Sequence, residues 1–148
     1  MKVLIAVDGT QATADTLDLA CLLFADRPAE MILLYVIPMH LVNGAGGPVP
    51  VECYDLNQEQ AHAQALIDQC VTRLKVGGIG SPPRTEIALG DPADVILYMA
   101  AKQDSDLIML GRRGRGLLKR TLLGSVSTKV MTHAHCAVLV AHQKVEKS

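Results

Sequence analysis

Short apolar segments alternate along the chain with longer segments in which apolar residues recur every three or four positions. A strand covered on both faces is continuously apolar, whereas a helix lying on a sheet buries only one stripe of residues. The pattern therefore predicts strands separated by helices, in the order βαβαβαβαβ. The predicted strands are Val3 to Val7, Met31 to Ile37, Thr85 to Leu89, Leu107 to Leu110 and Ala137 to Ala141.

The predicted helices have inward faces, and three of them have recognisable ends. Gly77-Gly78 suits the C-terminus of the second helix, Asp91 can cap the third with Pro92 at its first position, and Ser125 can cap the fourth. The predicted inward residues are, helix by helix, Ala14, Leu17, Cys21 and Phe24; Ala63, Ile67, Cys70 and Leu74; Val95, Ile96, Met99 and Ala100; and Val126, Val130 and either Met131 or Ala134.

Strands that alternate with helices predict an α/β fold. Because a strand–helix–strand crossover is right-handed and joins parallel strands, we expect a single doubly wound, Rossmann-like parallel sheet of five strands with helices on both faces. The 148 residues suffice for one domain, residues 1–148, which would bury roughly 68–70% of the surface of the unfolded chain. Asn43 to Pro50, rich in Gly and Pro, is predicted to be a loop within that domain.

Composition and charge narrow the range of partners. The chain has 14 Lys+Arg against 15 Asp+Glu, a net charge of -1 and 3% aromatic residues, so a globally basic or aromatic surface for nucleic acid is not expected. The longest apolar stretch, Met31 to Met39, is interrupted by Pro38 and is far shorter than the roughly 20 residues of a membrane helix. The segment after Met1 lacks a secretory pattern, so we expect a cytoplasmic protein.

The cysteines and histidines do not form a recognisable metal or nucleophile motif. The four cysteines lack C-x2-C spacing and are interpreted as structural. His133-x-His135-Cys136 fits no usual zinc spacing, and we interpret its histidines as helix-terminal groups that complement the helix dipole. No catalytic residue is therefore assigned.

Ligands of open parallel sheets collect beyond the carboxyl ends of the strands, where helix N-termini and strand-end loops meet. Three segments follow strands in this way: Asp8-Gly9-Thr10, Gly90-Asp91-Pro92 and residues 111–127. The last reads GRRGRGLLKRTLLGSVS and combines glycines, five basic residues and a helix start at Gly124-Ser125. Glycines let a ligand approach the backbone, basic side chains neutralise phosphates, and helix N-termini bind anions.

Each of these features also has a plainer explanation, since glycines can end a strand, Ser125 can cap a helix and basic residues can solvate a loop. Their combination favours an anion site, with a polyphosphate as the natural candidate. The segment is not a standard phosphate loop, because Leu117-Leu118 follow Gly116 where a Walker motif has Lys and then Ser or Thr. Asp8 likewise can form a local turn with Gly9 or contact the ligand.

The spacing Gly111-x2-Gly114-x9-Gly124-Ser125 resembles the nucleotide-binding motif of the universal stress protein family. The resemblance covers essentially the whole chain, through VLIAVDG in the first strand, LYV in the second, GDP after the third and GSVSTKVMTHAHCAVLV at the end. It implies an ATP-binding member of the family with an adenine nucleotide alpha hydrolase-like fold. It also implies Mg2+ with the phosphates, and homodimers.

The resemblance further implies which residues bind ATP. Asp8 matches the acidic residue near the nucleotide and can also reach a divalent cation that bridges phosphates, and Val36 matches the residue whose backbone faces adenine. The positions around ribose and phosphates are Gly111, Arg112, Gly114, Gly124, Ser125 and Ser127, with Val126 contributing its amide. Two departures from the family pattern are Thr10 in place of Ser, which keeps the hydroxyl, and Ala137 in place of Pro.

These observations favour an ATP-binding, nucleotide-dependent regulatory protein that acts in the stress response through a homodimer. A hydrolase also needs a base or an oriented water, and Asp8 is the one plausible helper, so we expect slow ATP hydrolysis at most. The alternative is a nucleotide-independent dimeric interaction module that pairs through the apolar strand Ala137 to Ala141. Nucleic-acid binding through residues 112–120 is the least favoured interpretation.

Overall fold

Strands and helices alternate throughout the part of the chain that the computed structural model describes, residues 1–39, 55–112 and 123–142. The strands are β1 (Lys2–Val7), β2 (Glu30–Pro38), β3 (Arg84–Gly90), β4 (Leu107–Gly111) and β5 (Ala137–Ala141), and the helices are α1 (Gln11–Phe24), α2 (Leu56–Val76), α3 (Pro92–Lys102) and α4 (Ser125–His133). The predicted order is confirmed, and each predicted strand ends within one residue of the observed strand. The predicted loop from Asn43 to Pro50 lies outside the described residues.

The strands form one sheet in the order β3-β2-β1-β4-β5, and every neighbouring pair is parallel. The chain begins in the centre with β1, moves outward through β2 to β3, and then crosses to the other side of β1 to add β4 and β5. The winding therefore reverses between β1 and β4, as predicted for a doubly wound α/β sheet. At such a reversal the strand-end loops diverge and leave a crevice at the carboxyl ends of the strands.

Helices cover both faces of the sheet, and the central strand shows this directly. Val3 and Ile5 of β1 lie in a core formed with α1 and α2, whereas Leu4 lies in a second core formed with α3 and α4. All three side chains are fully buried. Successive residues of β1 thus face different cores, which explains why this strand is apolar at consecutive positions.

The first helix differs from the prediction in the face that it buries. Its buried residues are Thr13, Thr16, Leu17, Ala20 and Phe24, while Ala14 and Cys21 are only partly buried. Buried threonines are tolerated because their hydroxyls have local partners, and Thr16 Oγ1 donates to the carbonyl of Ala12 at 2.6 Å. A stripe defined by apolar residues alone misses these positions, so the predicted face of α1 is partly wrong.

The other helices bury the predicted faces with smaller differences. All four predicted residues of α2 are buried, and three of the four in α3 are buried, with Val95 half-buried. In α4, Val130 is buried and Ala134 packs against the same core, whereas Met131 is 49% exposed, so Ala134 is the correct alternative. No helix within the described ranges is long and apolar enough to cross a membrane.

The helix ends agree with the predictions at α2 and α3 but not at α4. Gly77 ends α2, and Asp91 caps α3 with Pro92 as the first helical residue. In α4 the N-cap is Gly124 rather than Ser125, because the carbonyl of Gly124 accepts the first helical hydrogen bond. Ser125 is therefore the first residue of α4, and no side chain caps this helix.

The described cysteines lie in or against the cores. Cys70 is buried in α2, and its burial raises the pKa of the thiol to about 11. Burial also raises the pKa of the partly buried Cys21 and Cys136. Thiols that stay protonated at neutral pH are poor nucleophiles and metal ligands, which supports the structural role predicted for them.

Candidate functional site

The crevice between β1 and β4 brings together two of the predicted site segments. Asp8 directly follows β1, and Gly111 is the last residue of β4. The end of β4 packs closely against the first turn of α1, the helix that follows the Asp8 segment, because a Cβ atom on Gly111 would collide with the side chain and backbone of Ala12. A larger residue than glycine would push the end of β4 away from the start of α1.

The Asp8 carboxylate is held in one orientation by two threonines. Its Oδ1 atom accepts hydrogen bonds from Thr10 N at 3.0 Å, Thr10 Oγ1 at 2.7 Å and Thr13 Oγ1 at 2.9 Å. The Thr13 hydroxyl also accepts from the backbone N atoms of Asp8 at 2.9 Å and Gly9 at 3.1 Å. The bond from Thr10 N forms the local turn expected of Asp8. The two hydroxyl bonds go beyond that turn and orient the carboxylate at the crevice.

A cleft of about 330 Å³ adjoins Asp8 on the side of α2. Gly9 has a φ of 80° and packs so closely that a Cβ atom there would collide with Leu66. The cleft is lined by Asp8, Gly9, Thr10, His62, Ala65, Leu66 and Gln69. Sequence reasoning missed His62 and Gln69. Both lie on α2 and are spaced three or four residues from Ala65 and Leu66, which is the spacing that places residues on one face of a helix.

The junction between β4 and α4 is tied together by Ser127. Its hydroxyl donates to Gly111 O at 2.8 Å and to Arg112 O at 3.1 Å, and the residue is 2% exposed. Gly124 N donates to Arg112 O at 2.9 Å. Because the single hydroxyl proton of Ser127 is directed at backbone carbonyls, its side chain holds the N-terminus of α4 against the end of β4. Contact between Ser127 and a ligand stays a prediction.

Arg112 follows β4 and lies beside the end of β5. Its backbone N donates to Ala141 O at 3.0 Å, and its Nη1 atom lies 2.6 Å from Nε2 of His142. A guanidinium can only donate hydrogen bonds, so the imidazole accepts through Nε2. Sequence reasoning identified Arg112 but missed His142, because the two are 30 positions apart and meet only through the register of β4 on β5.

Val36 lies near the carboxyl end of β2, one residue beyond the last pair that joins β1 to β2, Val7 with Tyr35. On its other side Val36 pairs with Ala88 of β3. Its side chain is half-buried against the core beneath α3 and α4. Val36 therefore has no partner residue in the register of β1, and contact of its backbone with an adenine ring stays a prediction.

The remaining predicted positions lie elsewhere or outside the described residues. Asp91 follows β3, at the sheet edge and two strands from β1. Its carboxylate accepts from Asp94 N at 3.0 Å and lies 3.6 Å from Lys129 Nζ, so this segment serves the start of α3 and is not brought to the crevice. Gly114 and the basic residues from Arg113 to Arg120 lie outside the described residues.

Within residues 1–39, 55–112 and 123–142, no three or more His, Cys, Asp or Glu side chains form a group that could hold a metal ion. His133 and His135 are exposed at the end of α4 and just beyond it. A cation at the crevice would therefore need oxygen atoms of a bound ligand in addition to Asp8.

Comparison with known proteins assigns the chain to a family. The sequence profile of the universal stress protein family matches residues 1–142. The chain belongs to this family. Universal stress protein YxiE from Bacillus subtilis is 32% identical over 143 residues, which cover 94% of this chain and 97% of YxiE. Universal stress protein Sll1388 from Synechocystis is 28% identical over 149 residues, which cover 94% of this chain and 96% of Sll1388.

Solved structures show the same fold. The hypothetical protein MJ0577 superimposes with a TM-score of 0.83 at 25% identity, covering 98% of this universal stress protein and 97% of MJ0577. A universal stress protein in complex with cAMP gives a TM-score of 0.70 at 22% identity, with 96% of each chain covered. The Archaeoglobus fulgidus universal stress protein in complex with dAMP gives 0.65 at 18% identity, covering 96% of this chain and 98% of that one. Two proteins of this fold thus bind adenine nucleotides.

Proposed function

We propose that this universal stress protein binds ATP, accompanied by Mg2+, in the crevice between β1 and β4, and that the bound nucleotide controls its interactions in the stress response. The observation that carries the proposal is the close packing of Gly111, at the end of β4, against Ala12 in the helix that follows the Asp8 segment, where the winding reverses. The Asp8 carboxylate follows β1, whereas Arg112 and the N-terminus of α4 follow β4; a carboxylate, a guanidinium and a helix N-terminus are groups that bind nucleotides. The cAMP and dAMP complexes of two fold neighbours support an adenine nucleotide.

Four of the assigned residues have a specific role in this proposal. The first amides of α4 have no helical partner, so those of Ser125 and Val126 would bind the phosphates. Arg112 would add positive charge, and the backbone of Val36 would contact adenine. The assigned residues are Asp8, Val36, Gly111, Arg112, Gly114, Gly124, Ser125, Val126 and Ser127.

Binding rather than hydrolysis is the proposed function. Mg2+ would be held mainly by phosphate oxygens, with Asp8 as the carboxylate that can reach it. The Oδ1 atom of Asp8 already accepts three hydrogen bonds, so this atom is poorly placed to take a proton from water. Hydrolysis needs a base or an oriented water, and we therefore expect any ATP hydrolysis to be slow.

Calorimetric titration with Mg-ATP tests the site. In Asp8→Asn the amide oxygen can keep the hydrogen bonds from the threonines while the charge is lost, so we expect the affinity to fall about tenfold. The matched control is Asp91→Asn, which makes the same change after β3 and should bind like the wild type. Equal affinity of Asp8→Asn and the wild type would overturn the assignment of Asp8, and a wild type that binds no Mg-ATP would overturn the function.

The identity of the nucleotide is tested independently by mass spectrometry of small molecules that co-purify with the recombinant protein. We expect ATP, because the start of α4 and Arg112 together suit more than one phosphate. Co-purification of a monophosphate such as AMP or cAMP in place of ATP would keep the adenine site and contradict the triphosphate.

A second candidate function, a dimeric interaction module that needs no nucleotide, is favoured by the position of β5. Only β4 neighbours this strand in the described sheet, and its residues Val138, Leu139 and Val140 are half-buried. The open edge of a strand can pair with the same strand in a second copy of the chain. We propose a homodimer formed through Ala137–Ala141.

Light scattering tests the dimer. Leu139→Lys places a charge in the proposed contact, so we expect the mass of a monomer. The matched control Val76→Lys changes a residue that is 83% exposed at the end of α2 and should leave the dimer unchanged. A monomeric wild type, or a dimer that survives Leu139→Lys, would contradict this contact. A dimer that forms equally with and without ATP would favour the nucleotide-independent module.

A further inference from the structure

Arg112 and His142 meet because of the register between β4 and β5. Gly111 pairs with Ala141 in that register, and Arg112 N donates to Ala141 O. The next residues along the two strands, Arg112 and His142, are therefore opposed. Opposed residues on neighbouring strands have side chains close enough to interact, and the 2.6 Å distance between Arg112 Nη1 and His142 Nε2 shows that these two do.

Only one group in this contact, the guanidinium of Arg112, can donate the hydrogen bond. A guanidinium carries five N–H donors and no acceptor, so the imidazole must present the lone pair of Nε2 and carry its proton on Nδ1. This contact occupies one of the five donors of Arg112, so the guanidinium has further donors with which to bind another acceptor. Arginine side chains have many rotamers, and a fixed partner reduces the conformational entropy that is lost when the guanidinium binds a ligand.

The backbone of Arg112 is anchored at the N-terminus of α4. Arg112 O accepts hydrogen bonds from Gly124 N at 2.9 Å and from Ser127 Oγ at 3.1 Å, so the backbone of Arg112 is bound to the first turn of that helix. A helix N-terminus attracts anions. The contact with His142 therefore restricts the side chain of a residue whose backbone is bound to the start of this helix.

We propose that His142 is a positioning residue, which orients Arg112 toward the phosphate groups of the bound nucleotide. The inference rests on the proposed ATP binding and extends it to a residue outside the predicted motif. His142 acts through Arg112, and it orders that side chain before the ligand arrives, so that less of the binding free energy is lost on ordering it.

Paired titrations with ATP and adenosine test the proposal, since adenosine has no phosphates. We expect His142→Ala to weaken ATP binding about three- to tenfold and to leave adenosine binding unchanged. His142→Gln places an amide oxygen near the position of Nε2 and should restore ATP affinity to within about twofold of the wild type. His135→Ala, at an exposed histidine after α4, is the matched control and should bind both ligands normally.

A double-mutant cycle with Arg112→Ala separates positioning from a direct contact. In the Arg112→Ala background, His142→Ala should have no further effect on ATP affinity. The inference is overturned if His142→Ala leaves ATP binding unchanged, or if it weakens the binding of ATP and of adenosine equally. It is also overturned if His142→Ala weakens ATP binding further in the Arg112→Ala background. A wild type that binds no ATP overturns the proposed function and this inference together, whereas ATP binding that is insensitive to His142→Ala overturns the inference alone.

Discussion

Two aspartates, Asp8 and Asp91, each follow the carboxyl end of a parallel strand and precede a helix, yet their surroundings differ. Asp91, after β3, caps α3 and lies near a lysine of α4. Asp8, after β1, does not cap its helix, because the N-cap of α1 is Thr10. Its carboxylate instead accepts hydrogen bonds from the hydroxyls of Thr10 and Thr13. The carboxylate of Asp91 stabilises a helix end, whereas that of Asp8 is oriented by the loop after β1 and the first turn of α1.

The difference follows from the positions of the two strands in the sheet. β3 is an edge strand, whereas β1 is central and borders the reversal of winding. At the end of β1 the segments on either side of the reversal are in contact, since Gly111 packs against Ala12. At the end of β3 the acidic residue serves the helix that begins there. The role of an acidic residue at a strand end thus depends on which strand it follows, which a local motif does not reveal.

The largest expected effect comes from removing the hydroxyl that orients Asp8. Thr13 is buried, and its hydroxyl makes hydrogen bonds with Asp8 Oδ1 and with the N atoms of Asp8 and Gly9. Thr13→Val keeps the shape and leaves these groups without that partner, so we expect the free energy of unfolding to fall by about 2–3 kcal/mol. Chemical denaturation measures this loss, and Mg-ATP affinity should fall with it.

The control for this experiment is Thr13→Ser, which keeps the hydroxyl and loses only a methyl group. We expect it to cost about 1 kcal/mol of stability and to bind Mg-ATP like the wild type. If Thr13→Val and Thr13→Ser bind Mg-ATP equally well, the hydroxyl does not orient Asp8 for the ligand, and the contrast with Asp91 loses its functional meaning.

A smaller effect is expected at the other aspartate. Asp91→Ala removes the N-cap of α3, so we expect the free energy of unfolding to fall by about 1 kcal/mol. Asp91→Ser keeps a capping oxygen and should recover most of that stability. Neither change should alter Mg-ATP affinity in a calorimetric titration. If Asp91→Ala folds normally but no longer binds Mg-ATP, the segment after β3 contributes to the nucleotide site.

The strands and most helix faces could be predicted from the sequence because burial imposes a pattern on apolar residues. β1 and β2 are covered on both faces, so their apolar runs are nearly continuous, and α2 buries one clean stripe. The face of α1 could not be predicted in the same way. Thr13 and Thr16 can be buried because their hydroxyls make hydrogen bonds that offset the cost of burying a polar group. A hydropathy pattern contains no information about such hydrogen bonds.

The candidate site was predictable where it depends on local sequence and not where it depends on register. Asp8 and Gly111 could be placed at strand ends from the pattern alone. The contact between Arg112 and His142 could not, since it requires β5 to pair with β4 in one particular register. The direction of the Ser127 hydroxyl was equally hidden, because it depends on how the first turn of α4 meets the end of β4.

The smallest expected effect concerns a third aspartate, Asp18 on α1, whose two oxygens each accept a hydrogen bond from Arg73 of α2 at 2.8 Å. The side chains are 61% and 47% exposed, so Asp18→Asn should lower the free energy of unfolding by less than about 1 kcal/mol at neutral pH. Asp26→Asn, at an exposed acidic position just after α1, is the control and should have no effect.

The pH dependence of this pair separates charge from packing. Hydrogen bonding to Arg73 holds the pKa of the Asp18 carboxyl below its ordinary value of 3.8. A carboxyl whose pKa is lower in the folded state contributes stability above the unfolded-state pKa, and loses it as the pH falls through the folded-state pKa. Denaturation curves of the wild type and Asp18→Asn should therefore differ at neutral pH and converge below pH 3.8. A difference that persists in acid would assign the effect to packing of the Arg73 side chain and not to the charge of Asp18.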